Sequence, residues 1–165
     1  GGRRRRVREG AEGGVGCVGG ETPPGPGEAQ LGRAQYVPRS GAGIISTPQD
    51  VALSEARKGL GMLEKVTVPI LGLIENMSYH QCVSCGHREE IFDHGGVGKA
   101  AAELGVVFLG EVPLQSDLRK AADAGTPLVA SAPHHPVSEK FKDIAGRIWL
   151  HLPLEKTVPK APKRA

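Results

Sequence analysis

The sequence is poor in aromatic and sulfur-containing side chains. Its 165 residues include one Trp, two Tyr, three Phe and three Cys. Three cysteines are too few for a disulfide scaffold. No run of about 18 apolar residues occurs, so no membrane-spanning helix is expected. The length suits a single domain of ordinary size, and these absences leave a globular domain as the expectation.

The net charge of +3 comes from the two ends of the chain. Residues 1–40 carry seven Arg against four Glu, and residues 153–165 carry four basic residues against one Glu. Residues 41–152 carry ten basic and thirteen acidic residues. Basic ends attract polyanions weakly and in a salt-sensitive way. The acidic middle does not favour nucleic acid, so no specific nucleic-acid partner is expected.

Composition divides the chain into three parts. Residues 1–20 hold eight Gly and a run of four Arg, and too little apolar surface to offset the entropy of ordering, which predicts a disordered leader. Residues 153–165 hold three Pro and four basic residues, which is typical of a solvated tail. Residues 21–152 are expected to fold. Because the first residue is Gly rather than Met, we expect the start of the natural protein to be missing.

Short apolar runs alternate with helical periodicity in the middle of the chain. Strands are expected at 43–46, 68–76 and 106–112. Helices are expected at 48–65, with Thr47 as N-cap, and at 95–104, 116–124 and 137–151, the last with Trp149 facing inward. This alternation predicts an open parallel α/β sheet that binds ligands at the carboxyl ends of its strands. Those ends are Ser46-Thr-Pro48, Glu75-Asn-Met77 and Glu111-Val-Pro-Leu114.

The sharpest local signal is Cys82-Val-Ser-Cys85-Gly-His87, expected in a loop. Two thiolates at this spacing can bind one metal, but a complete zinc or iron–sulfur site takes about four ligands. His80 and His87 could complete a zinc site, or two chains could each supply two thiolates to a shared cluster. A redox pair and two unligated loop thiols are the remaining interpretations.

Two further polar segments have more than one interpretation. Asp93-His-Gly-Gly-Val-Gly-Lys99-Ala100 resembles a phosphate-binding loop, but Asp93 replaces a required Gly and Ala100 replaces the hydroxyl that would hold Mg²⁺. The deviant form of the loop would place Lys where His94 stands. We therefore interpret these glycines as the N-terminal turn of a helix. Asn76, at a strand end, suits either a base-edge contact or an Asx turn.

These segments together resemble the Mrp-type iron–sulfur cluster carrier ATPases, of the deviant P-loop class that includes ParA and MinD. The resemblance covers roughly residues 21–150. It implies an α/β fold: a partial P-loop NTPase of the SIMIBI type, with a parallel sheet flanked by helices and without the N-terminal P-loop portion. The mitochondrial nucleotide-binding-protein-like branch is most similar, and bacterial members are nearly as similar. The matching runs are 45–53, 56–59, 68–78, 82–87, 91–96, 108–114 and 124–127.

The resemblance also implies a function. A [4Fe–4S] cluster would bridge a homodimer, or a heterodimer with a paralogue, through Cys82 and Cys85 of each subunit. The cluster would pass to apo iron–sulfur proteins, respiratory complex I among them, under the control of ATP and Mg²⁺. Asn76, Pro113 and Leu114 match positions that contact adenine in this class. The mitochondrial matrix is the implied location, with the cytoplasm as the alternative.

The departures from the family pattern concern the phosphate side of the site. The second switch normally reads Asp-x-Pro-Pro-Gly-Thr-Gly-Asp and here reads Glu21-Thr-Pro-Pro-Gly-Pro-Gly-Glu28. Glu21 thus stands where the family has the Asp that orders Mg²⁺. The P-loop and the first switch are absent, so we expect a fragment or a mispredicted gene start, with no catalytic residue and no ATP hydrolysis by this chain alone. The alternative function is a non-enzymatic zinc-binding adaptor that uses the same two cysteines.

Overall fold

A computed structural model describes residues 19–20, 40–82 and 84–152. Most of the predicted leader, the Glu21 segment and the predicted tail lie outside the described residues. None of the helices described is long and apolar enough to cross a membrane. The elements are β1 (Ala42–Ser46), α1 (Asp50–Lys65), β2 (Ile70–Gln81), β3 (Arg88–Glu89), α2 (Gly96–Leu104), β4 (Phe108–Leu114), α3 (Ser116–Asp123), α4 (Leu128–Ser131) and α5 (Pro136–His151).

β2 is the strand to which all the other strands of the sheet pair. β1 and β4 lie parallel to β2, with Ser46 opposite Glu75 and Glu75 opposite Glu111. β3 lies antiparallel to the end of β2, with Gln81 opposite Arg88. The α/β expectation is confirmed, but an entirely parallel sheet was wrong because β2 continues beyond Asn76 and a tight turn brings the chain back beside it.

The two faces of the sheet pack against different helices. On one face Leu73 packs with Val97 and Ala101 of α2. On the other face Ile74 and its neighbours in β4, Leu109 and Val112, pack with Ile144 of α5. Successive side chains of a strand point to opposite faces, so the continuous apolar run 70–74 fits a strand covered on both sides. Each such buried aliphatic side chain contributes about 1.5–3 kcal/mol.

Two helix details differ from the sequence-based expectations. α1 begins at Asp50 with Gln49 as N-cap, and the Thr47 hydroxyl donates to the Gln49 side-chain oxygen rather than accepting from the helix backbone. Trp149 is 51% exposed, so its inward placement was wrong. Ile144 is buried against the sheet, and five residues at about 100° each place Trp149 some 140° around the helix from it.

Candidate functional site

Cys82 and Cys85 lie in a tight turn, the thiol hairpin (residues 82–87), that connects β2 to β3. The Cys82 N–H donates to the His87 carbonyl at 2.9 Å, and the Gly86 N–H donates to the Cys82 carbonyl at 2.9 Å. Gly86 has φ 72°, a left-handed conformation that glycine adopts without strain. Cys82 is half-buried, Cys85 is exposed, and both are free. The turn therefore presents the two cysteines at the surface.

The Cys82 sulfur receives polar contacts from its own turn. The backbone N–H of Cys85, then the backbone N–H of Ser84 and the side chain of Cys85, lower the pKa of the Cys82 thiol below its ordinary value. Each donor directs partial positive charge toward the sulfur and so stabilises the thiolate. The thiolate is the form that binds metals, and a lower pKa increases the fraction of Cys82 in that form.

His80 and His87, the candidate zinc ligands, are not gathered around the two sulfurs. Among residues 40–82 and 84–152, one group of three or more Cys, His, Asp or Glu has ligand atoms within 4.8 Å of one another, and it consists of Glu75, His94 and Glu111. His80 pairs with Glu89 across the hairpin strands. The thiol hairpin thus offers two sulfur ligands and no assembled third one.

The candidate adenine contacts lie on two paired strands, with Asn76 in the middle of β2, where a strand end was expected, and Pro113 and Leu114 at the end of β4. Asn76 is opposite Val112 in the register of β2 and β4, and Val112 directly precedes Pro113. Leu114 lies opposite His80. Asn76 borders a hollow of about 400 Å³ whose other walls are apolar and come from β1, β2, β4 and α5. Glu21 lies outside the described residues.

A polar cluster that the sequence analysis did not anticipate lies at this edge of the sheet; it consists of Glu75, Ser78, Arg88, His94, Glu111 and Lys140. The Glu75 side chain is fully buried. One of its oxygens accepts from Gly95 N–H at 3.0 Å and from the Ser78 hydroxyl at 2.6 Å. The other accepts from Val97 N–H at 2.9 Å. Glu75 therefore caps the N-terminus of α2, where helix N–H groups lack intrahelical partners.

His94 connects this buried carboxylate to the surface. Its Nδ1 lies 2.8 Å from the Ser78 hydroxyl oxygen, and its Nε2 lies 3.0 Å from a terminal nitrogen of Arg88. The Arg88 guanidinium also stacks 3.9 Å above the centre of the Tyr79 ring. His94 thus bridges a residue of β2 and a residue of β3.

Glu111 occupies the other side of the cluster and pairs with a lysine of α5. Lys140 Nζ lies 3.0 Å from one Glu111 oxygen. Partial burial acts to raise the pKa of Glu111, but the hydrogen bond and charge of Lys140 outweigh burial and hold that pKa below its ordinary value. Glu111 is therefore ionised, and the positive charge of Lys140 compensates its negative charge.

The polar cluster is internally satisfied and does not resemble an open cation site. The Glu75 oxygens already accept three hydrogen bonds, and Arg88 and Lys140 occupy positions where a cation would be attracted. One sequence signal could have revealed part of it: a Glu directly following the apolar run 70–74 is unusual, since an acid is almost never buried unless it is paired.

The glycine-rich segment is a helix start, as predicted. α2 begins at Gly96, with Gly95 as its N-cap at φ 78°. The N–H groups that a phosphate would use are already donated to the Glu75 carboxylate. The resemblance of residues 93–100 to a phosphate-binding loop is therefore superficial, because the protein supplies its own anion there.

A largely parallel sheet covered by helices on both faces is an α/β architecture, and MinD has this fold. The structure matches the MinD cell division protein of Aquifex aeolicus with a TM-score of 0.53, at 20% identity, over 79% of this chain and 49% of that one. A family model, ParA, described as "NUBPL iron-transfer P-loop NTPase", matches residues 20–149. The chain belongs to this family, which confirms the resemblance read from the motifs.

Two relatives illustrate the range of the family. The chain is 46% identical over 132 residues to an "Iron-sulfur cluster carrier protein" of Salmonella typhimurium, covering 80% of this chain and 36% of that protein. It is 44% identical over 128 residues to an "Iron-sulfur protein required for NADH dehydrogenase, mitochondrial" of Arabidopsis thaliana, covering 78% of this chain and 41% of that protein. The chain thus spans less than half the length of these curated relatives.

Proposed function

We propose that this chain is the thiol-bearing part of an iron–sulfur cluster carrier. Two copies hold one [4Fe–4S] cluster through Cys82 and Cys85 of each, and deliver it to an apo-protein. The observation that carries the proposal is the thiol hairpin, whose backbone stabilises the Cys82 thiolate beside an exposed Cys85. Support also comes from the Salmonella relative, which is named as an iron–sulfur cluster carrier protein.

The need for two copies follows from the ligand count. A [4Fe–4S] cluster is held by four thiolates, and each thiol hairpin presents two. A two-fold pairing that brings two hairpin tips together would supply the full set. Because the tips are at the surface, the same exposure that permits sharing also lets an acceptor's thiolates reach the cluster.

The proposal includes ATP control through the edge of the sheet. Asn76, Pro113 and Leu114 would contact the base, and Glu21 would act with Mg²⁺ on the phosphates. Asn76 borders the apolar hollow, whose described lining does not include Pro113 or Leu114. The support for these two residues is the pairing of Asn76 with Val112, which places Pro113 beside Asn76. β2 carries Asn76, and its last residue, Gln81, leads directly into the thiol hairpin. Nucleotide and cluster would therefore act on the same strand.

The acceptor and the location are proposed from the relatives. The name of the Arabidopsis protein supports respiratory complex I as an acceptor and the mitochondrial matrix as the location. The Salmonella relative supports the cytoplasm as the alternative location. In either compartment the cargo would be the same, because the thiol hairpin rather than the acceptor determines which cluster is carried.

The test is anaerobic reconstitution of the full chain with ferrous iron and sulfide. We expect about four iron atoms and four sulfides per two chains, a brown chromophore, and elution as a dimer. Cys82→Ser and Cys85→Ser should each abolish all three signals. Cys17→Ser is the matched control, since Cys17 is the third cysteine of the sequence, and it should leave them unchanged.

Two results would contradict the proposal. An unchanged chromophore in Cys82→Ser would show that the cluster is held elsewhere. One tightly bound zinc ion per chain without sulfide would instead favour the zinc-binding adaptor, with His80 or His87 brought to the thiols on binding.

A further inference from the structure

We propose that His94 is a positioning residue for the thiol hairpin, because it ties together the two strands that enter and leave the turn. The inference rests on the proposed function, in which Cys82 and Cys85 are the ligands. His94 contacts neither cysteine. It contacts Ser78 on β2, which precedes Cys82, and Arg88 on β3, which follows Cys85.

The hydrogen-bond donors and acceptors form one directed chain. Arginine has five donors and no acceptor, so the contact with Arg88 requires that the unprotonated Nε2 of His94 accept. With Nε2 as an acceptor, the ring proton lies on Nδ1 and is donated to the Ser78 hydroxyl oxygen. That hydroxyl in turn donates to Glu75 at 2.6 Å. Every group in the chain has a partner of the right kind, which selects one tautomer and one ring orientation.

The chain runs from a rigid anchor to the turn that needs support. Glu75 is fully buried and held by the N-terminus of α2. Arg88 is exposed at its other end, with its side chain 43% accessible. The connection therefore transmits the rigidity of the sheet and α2 to the exposed strand β3.

β3 needs this connection because its own pairing is short. Only two residue pairs, His80 with Glu89 and Gln81 with Arg88, join β3 to β2. A two-stranded hairpin is marginally stable by itself. The His94–Arg88 bond, together with the stacking of Arg88 on Tyr79, fixes β3 from outside the ladder. It thereby adds to the hydrogen bond from Cys82 N–H to the His87 carbonyl, which joins the two ends of the thiol hairpin.

The test measures Co²⁺ alone binding to the full chain, anaerobically, through thiolate-to-cobalt charge-transfer absorption. Loss of groups that orient metal ligands typically weakens metal binding about 10–100-fold. We expect His94→Ala to weaken Co²⁺ binding at least about tenfold. The His94→Gln side chain can still offer an oxygen to Arg88 and should recover part of that loss. The matched control is His134→Ala, since His134 is exposed, and it should bind as the wild type does.

A double-mutant cycle separates positioning from a general effect on stability. If His94 and Arg88 act through their shared bond, His94→Ala combined with Arg88→Ala should bind Co²⁺ no more weakly than the weaker-binding single variant. Urea unfolding of each variant is measured in parallel. A purely structural role would change the unfolding transition but leave the Co²⁺ affinity of the folded chain unchanged. If His94→Ala does not fold, Arg88→Ala removes the same bond from the exposed end and carries the comparison with the wild type.

The outcomes distinguish the two proposals. If the wild type binds Co²⁺, Cys82→Ser abolishes binding, and His94→Ala binds as tightly as the wild type, positioning is overturned and the proposed function stands. If the losses of Co²⁺ affinity in the two single variants add up in the double variant, the positioning role of His94 is likewise overturned. If Cys82→Ser binds Co²⁺ as the wild type does, the ligand assignment and the positioning role are both overturned.

Discussion

At the scale of single residues, Glu75 shows how an acid can be part of a core. It follows an apolar run in the central strand and has no exposed surface. Burying an unpaired carboxylate is costly, and here two backbone N–H groups and a hydroxyl offset that cost. The carboxylate and the N-terminus of α2 therefore satisfy each other, and neither is stable in this position without the other.

Replacing Glu75 by Gln tests this mutual dependence. The amide keeps one acceptor oxygen but turns an NH₂ group toward a backbone donor, leaving Gly95 or Val97 N–H unsatisfied. We expect the free energy of unfolding in urea to fall by about 2–4 kcal/mol. Glu55→Gln is the control, because Glu55 is exposed and pairs with the exposed Lys58, and it should change stability by less than about 0.5 kcal/mol. Equal losses of stability in Glu75→Gln and Glu55→Gln would contradict the role of Glu75 as the cap of α2.

The pair formed by Glu111 and Lys140 makes stability depend on pH. Because the folded pKa of Glu111 lies below its ordinary value, the pair stabilises the fold above about pH 4.3. That stabilisation is lost as the pH falls from there through the folded pKa. In Lys140→Gln the free energy of unfolding should fall less steeply over this acid range. Lys58→Gln, which breaks an exposed pair, should keep the wild-type slope. A Lys140→Gln profile parallel to the wild type would contradict the assignment.

At the scale of elements, β2 shows what local sequence patterns can and cannot reveal. Its apolar first half was predicted, and its continuation to Gln81 was not. Residues 75–81 are mostly polar, and Met77 has φ 57°, so neither composition nor regular alternation marks them as a strand. The continuation is held by its neighbours: β3 and β4 both pair with His80. β3 and α4 were not predicted either, since elements of two and four residues are too short to show a period.

Replacing glycine by alanine should change the free energy of unfolding in opposite directions at two positions, Gly72 and Gly59. At Gly72 in β2, where φ is 145°, a Cβ would meet the Val107 carbonyl and lie 2.7 Å from Leu109 Cγ. That carbonyl accepts from Leu73 N–H, so Gly72→Ala should separate β2 from β4 and destabilise the fold by about 3 kcal/mol. Gly59 lies inside α1 with open space around it, so Gly59→Ala should stabilise by about 0.5–1 kcal/mol. Urea unfolding of both variants measures the direction of each change in stability. A Gly59→Ala variant that is less stable than the wild type would contradict the prediction.

At the scale of the whole molecule, the fold was more predictable than the polar cluster. Each of the longer strands and helices has its own pattern of apolar residues in the sequence, a continuous run for a strand and helical spacing for a helix. The spacing of Cys82 and Cys85 is likewise contained within four consecutive residues. The polar cluster has no such pattern, because Glu75, His94, Glu111 and Lys140 come from separate segments and meet only after folding. His94 stands where the deviant phosphate-binding loop has a lysine. Its place in that motif gives no sign of its contacts with Ser78 and Arg88.

The sheet is covered unevenly. Ile45 of β1 is 65% exposed and borders the hollow beside Asn76. Leu150 near the end of α5 is 81% exposed. Both apolar side chains therefore lie at the surface of the described part of the chain.

The capping of α2 by Glu75 has a consequence for hydrogen exchange. The first N–H groups of a helix ordinarily exchange quickly with solvent, since no carbonyl within the helix accepts from them. In this protein the Gly95 and Val97 amide protons are donated to a carboxylate that is buried in the central strand. Their exchange therefore requires α2 and β2 to separate, and the start of the helix opens only together with the centre of the sheet.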